Sequence, residues 1–104
     1  MPETSTAGRW TLHLSAQPRL VSQAEQVLAL EGLDALLLAW LALEGPTPRV
    51  RLMDLLWPEE TRSPTLRNRL RQRLFTLKRR LGAEAVIGNE ILSLGPAVFW
   101  PGHD

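Results

Sequence analysis

Between Arg62 and Gly82 the chain carries eight basic side chains and no acidic one: Arg62, Arg67, Arg69, Arg71, Arg73, Lys78, Arg79 and Arg80. The rest of the 104 residues holds four basic against eleven acidic side chains, so a formal charge of +1 conceals a steep separation of charge. Cations gathered in this way pair with phosphate. The amides of Asn68 and Gln72 add a second capacity, because an amide can grip the edge of adenine and a guanidinium the edge of guanine. On a helix turning about 100° per residue, Leu66, Leu70, Leu74, Leu77 and Leu81 form one narrow apolar stripe. Opposite that stripe lie Asn68, Gln72, Phe75 and Arg79, the candidate base-reading residues. Arg69 and Thr76 flank them on one side and Arg71 on the other, while Arg67, Arg73, Lys78 and Arg80 sit nearer the buried edge. Together with Arg49 and Arg51, these flanking side chains are the candidate phosphate contacts, which would supply affinity but no sequence information.

The competing interpretation is a solvated basic face. Solvated helices usually mix signs at i±4, and this one has no acid to relieve its repulsion. Phe75 fits either a thymine methyl or a seat against the following hairpin. The hairpin is favoured, since leaving a phenyl ring in water forgoes its burial.

Other chemistry is sparse. The absence of cysteine excludes disulfides, thiolate metal sites and a thiol nucleophile. His13 and His103 stand at opposite ends and build no zinc site unaided. His13 is expected to face outward on a strand, and Glu59-Glu60 to be a solvated loop pair. No nucleophile is accompanied by a base, and no glycine-rich phosphate loop or metal cluster is evident. Neither an enzyme nor a cofactor is expected.

A composition of 44% hydrophobic and 22% charged residues is too apolar for general disorder. The length suits a single domain, with residues 1–8 as a flexible tail and 9–104 as the domain. Met1–Gly8 lacks the basic and apolar regions of a signal peptide. The longest apolar run, Ala35–Leu43, is far short of a membrane span. The expected location is cytoplasmic, away from any membrane.

The elements that must hold the basic segment follow from patterning. Trp10, Leu12 and Leu14 alternate with polar residues, as in a half-buried strand. Arg19–Val21 and Gln26–Leu30 suggest two more strands and an N-terminal antiparallel sheet. Leu33–Glu44 is apolar on most sides, which predicts a helix buried against several neighbours and stopped by Gly45-Pro46. Thr47 as N-cap and Pro48 as first residue open a second helix, ended by Pro58. Ser63-Pro64 repeats that signal for the third, basic helix, which runs to Leu81 before Gly82. Ala85–Ile87 and Ile91–Leu94 flank Gly88-Asn89-Glu90 as a hairpin, and Val98–Trp100 suggests a last short strand. Trp10, Trp40, Trp57 and Trp100 are expected to be core anchors. The fold class is therefore α+β.

Strands, three helices and a hairpin, with the basic helix third, is the order of a winged helix-turn-helix. The run ALLLAWLALEGPTPRVRLMDLLWPEE, followed by LRNRLRQRLFTLKRRLG, resembles the DNA-binding domain of the SARP-type bacterial transcriptional activators, within the OmpR/PhoB class. The likeness extends from about Trp10 to Trp100 and rests on R-x-R-L…LLWP at Arg49–Pro58, N-x-L-R-Q-x-L at Asn68–Leu74 and L-K-R-R-L-G at Leu77–Gly82. It implies a sequence-specific regulator of transcription bound to double-stranded DNA. The third helix (about 63–81) would enter the major groove, and the hairpin would form a wing near the minor groove with Asn89 at its tip. It further implies that the loop Pro58–Ser63, with Glu59, Glu60 and Arg62, can touch RNA polymerase. The chain departs from the family in a wing tip without Arg or Lys and in Phe75, where relatives usually have a small or polar residue. Relatives also continue into a helical activation domain or follow a receiver domain, so either a fragment or a stand-alone reader is expected. Relatives bind direct repeats, and the apolar residues are nearly all assigned to the expected core. A monomer in solution with tandem copies on DNA is therefore expected. The rival function is a winged-helix interaction module whose basic helix binds an acidic partner or RNA polymerase rather than reading DNA.

Overall fold

Residues 9–30, 32–60 and 64–102 are described by a computed structural model. The expected tail at 1–8, the Ser63 cap, Arg62 and the His103-Asp104 end lie outside these residues. Alternation in the first segment produces β1 (Trp10–His13), with Trp10 and Leu12 buried. It pairs antiparallel with β2 (Arg19–Ser22), which pairs antiparallel with β3 (Val27–Ala29). The Ser22 hydroxyl accepts from the amides of Ala24 and Gln26, closing the second turn.

The first helix, α1 (Gly32–Glu44), buries Asp34, Leu37, Leu38 and Leu41. It is less enclosed than its composition suggests, because Leu36 and Leu43 remain 39% and 63% exposed. A helix apolar on most sides does not declare which side its neighbours will cover; here α2 and β6 pack against it.

The segment after α1 differs from expectation. Thr47–Pro48 is a short strand, β4, and α2 runs Arg49–Leu56 with no side-chain cap bond at Pro48. The Thr47 hydroxyl is committed elsewhere: it donates to the Gly45 carbonyl and accepts from Trp40 Nε1 at 3.0 Å. Backbone pairing of Thr47 with Leu92 and Pro48 with Ile91 takes the place of the cap.

The third helix, α3 (Pro64–Leu81), buries Leu66, Leu70, Leu77 and Leu81, with Leu74 partly covered. Gly82 ends it at φ +74°, a left-handed conformation that glycine adopts without a Cβ penalty, and its amide donates to Lys78. Strands β5 (Val86–Gly88) and β6 (Ile91–Leu94) form the hairpin, giving a three-stranded sheet in the order β4-β6-β5. Finally β7 (Val98–Phe99) returns beside β1 in parallel, so the first sheet has the order β3-β2-β1-β7.

This α+β arrangement has a single hydrophobic core that draws on both sheets and all three helices. Trp10 ties its ends together, since the indole Nε1 donates to the Leu81 carbonyl at 3.2 Å and so fixes the end of α3 to β1. Among the four tryptophans only Trp10 is buried. Trp40, Trp57 and Trp100 pack at the margin of the core, and the rings of Trp40 and Trp57 meet arginine guanidiniums on the outer side. The core also leaves more apolar surface than expected: Val27, Leu43, Phe75, Ile91 and Phe99 are each about half exposed or more. No helix among the described residues is long and apolar enough to cross a membrane.

Candidate nucleic-acid interface

Helix α3 stands as a ridge between two shallow grooves. Its leucine stripe packs into the core, which forces Asn68, Gln72, Phe75 and Arg79 outward, and all four are exposed. On one side of the ridge Arg69, Gln72, Arg73 and Thr76 face Leu33 and Trp57 across a groove. On the other, Arg71, Leu74, Phe75 and Lys78 face Glu84, Ala85 and Val86 at the base of the hairpin. Toward the start of the helix, Arg67, Asn68 and Arg71 share a third hollow with Pro64 and Thr65.

The cations of α3 do not have equal freedom. Arg73 and Arg80 each reach Asp34 on α1, at 3.4 Å to separate carboxylate oxygens. Arg69 pairs with Glu60 at 3.0 Å, and its guanidinium lies 5.9 Å from the centre of the Trp57 ring. Lys78 pairs with Glu84 at 3.4 Å. These last two pairs are roughly half exposed, so each contributes little stability and can exchange partners readily. Among the described residues, Arg67, Arg71 and Arg79 make no ion pair and leave their charge without a carboxylate partner.

Phe75 departs from its expected position. It does not tuck against the hairpin but is 59% exposed, with the Arg79 guanidinium 5.9 Å from its ring centre. Position 75 points away from the leucine stripe, and one helical turn separates it from Arg79, so a cation–π contact along the helix is the available partner. Thr76 and Arg79 border a further hollow with Arg80.

The start of α2 is joined to the hairpin tip. The Arg49 amide donates to the Glu90 carbonyl at 2.7 Å, and Arg49 Nε donates to the Asn89 carbonyl at 2.9 Å. Asn89 thus contributes its backbone to this tether. Burial and then the neighbouring Arg67 charge push the Arg49 guanidinium below its ordinary pKa; Arg71 adds to the lowering and Glu90 opposes it. An arginine nevertheless keeps its proton at physiological pH, so three cations crowd one end of α3. Arg51, exposed on α2, lies 5.8 Å from the centre of the Trp40 ring. Glu59 is exposed in the loop after α2 beside Glu60.

Asp34 is a residue of this interface that no motif in the sequence singles out. A signal was available: a carboxylate in the buried face of an apolar helix demands a cation, and α3 is rich in them. Which cations answer depends on a packing of segments 39 and 46 residues away. No buried side-chain polar atom among the described residues lacks a hydrogen-bond partner. Compared with protein-family models, curated proteins and solved structures, the chain matches none.

Proposed function

We propose that the protein is a sequence-specific double-stranded DNA-binding regulator of transcription, built as a winged helix-turn-helix of the SARP-type OmpR/PhoB kind. In this reading α3 enters the major groove and presents Asn68, Gln72 and Arg79 to base edges, with Phe75 against a thymine methyl. Arg67 and Arg71 contact phosphates, joined by Arg49, Arg51 and Thr76, and by Arg69 and Lys78 once their exposed pairs exchange. The β5–β6 hairpin acts as the wing, with its tip near the minor groove. The observation that carries the reading is the division of α3: leucines on one side, amides and guanidiniums opposite, and three arginines (Arg67, Arg71 and Arg79) with no ion pair among the described residues.

The loop after α2, with Glu59 and Glu60, is the proposed polymerase contact, and the cytoplasm is the corresponding compartment. The second reading, an interaction module for an acidic protein, draws support from Phe75, an exposed aromatic at the centre of the basic face. Selection from a pool of random duplexes separates the two. Enrichment of a defined motif supports DNA reading. A pool that remains random while the protein retains duplexes non-specifically would favour the interaction module.

A further inference from the structure

We infer that Asp34 is a positioning residue that sets α3 along its axis and withholds Arg73 and Arg80 from any polyanion bound to that helix. The inference takes its ligand from the duplex-binding reading, but its geometry stands apart from it. The Asp34 side chain is only 6% exposed, whereas those of Arg73 and Arg80 are 37% and 39% exposed. A carboxylate so enclosed requires a cation, and removing its partners would leave an uncompensated buried charge. It has two, one to each oxygen.

Their spacing explains why two are useful. Arg73 and Arg80 lie seven residues apart, which places them about 20° apart around the helix and about 10 Å apart along it. Leu77, buried between them, faces the core. The two guanidiniums therefore close on Asp34 from opposite directions along the axis. Sliding α3 either way lengthens one contact as it shortens the other. Gln72 adjoins Arg73 in the groove floored by Leu33 and Trp57, so the same contacts determine where the outward amide stands. The trio of side chains carries a net charge of +1 rather than +2. Of the cations on α3, these two are consequently the least able to displace counterions from a polyanion.

The test reads the slope of log affinity against log salt on a random duplex, and separately on heparin, which has no bases to read. Each phosphate neutralised contributes about 0.9 to the duplex slope. Arg67→Gln should flatten the slope by about that amount, while Arg73→Gln and Arg80→Gln should leave it unchanged and lower the melting temperature. Asp34→Asn, where folded, should steepen the slope and reduce discrimination between selected and random duplexes, because two cations are released and α3 loses its axial stop. A folded Asp34→Asn with an unchanged slope overturns the inference. So does flattening by Arg73→Gln or Arg80→Gln to the extent seen with Arg67→Gln, a comparison that holds even if Asp34→Asn does not fold. If the wild-type protein binds no duplex, the proposed function fails, and the heparin slopes of the same variants decide the role of Asp34. If it binds neither polyanion, additive effects of Asp34→Asn and Arg80→Gln on the melting temperature would overturn the positioning role, and strong coupling would sustain it.

Discussion

A methyl group on Gly88 would collide with the backbone carbonyl oxygen of Ile91, and the residue holds φ at +112°, where a side chain is strained. Both objections come from main chain, so Gly88→Ala should cost about 1–3 kcal/mol and loosen the hairpin tip. A melting temperature equal to the parent's would show that the tip can re-form around the methyl. On α3, Gln72 and Arg71 serve different ends in the proposed reading. Gln72→Ala should relax preference at one base position, at about 1–3 kcal/mol, whereas Arg71→Ala should weaken all duplexes nearly alike. Equal, uniform losses from both would contradict the assignment of faces. The outward positions of Asn68, Gln72 and Arg79 were legible in the sequence because five leucines at helical spacing fix the phase of α3. The exposure of Phe75 was not. Its neighbours across the groove, Ala85 and Val86, come from another segment, and their distance from the ring is a matter of packing.

Among the elements, those with a strong local pattern were readable: alternation gave β1, glycine at a tight turn gave the hairpin, and the leucine stripe gave α3. The strand β4 was not, because Thr-Pro before an apolar run is also the mark of a helix start. Long-range pairing with Leu92 and Ile91 decides the matter. The parallel return of β7 beside β1 likewise joins the two ends of the domain and leaves no local trace. The hydroxyl of Thr47 couples β4 to α1 through the Trp40 indole. Thr47→Val should leave that N–H without its partner and cost about 1–2 kcal/mol, with Thr47→Ser restoring most of the loss. Urea denaturation measures both; if valine and serine variants are equally stable, the hydrogen bond contributes nothing.

For the whole molecule, the basic segment 62–82 is set in a chain whose other residues are net acidic. In the proposed reading, that charge separation would favour electrostatic alignment of successive copies head to tail on a duplex. The exposed apolar side chains belong to β3, α1, α2, α3 and the later strands. A monomer in sedimentation, with cooperative occupancy of two half-sites about one helical turn apart, is the corresponding expectation. Lengthening the spacing by about half a turn should abolish the cooperativity, and a tight dimer without DNA would contradict the scheme. The central claim, that α3 reads duplex sequence, is tested most directly by fluorescence anisotropy on a selected duplex and its scrambled counterpart across a salt series. The account predicts that the selected duplex binds about 10³-fold or more tightly than the scrambled one near physiological salt. It also predicts that both affinities fall steeply as salt rises. Equal affinity for the two duplexes, or binding indifferent to salt, would contradict it.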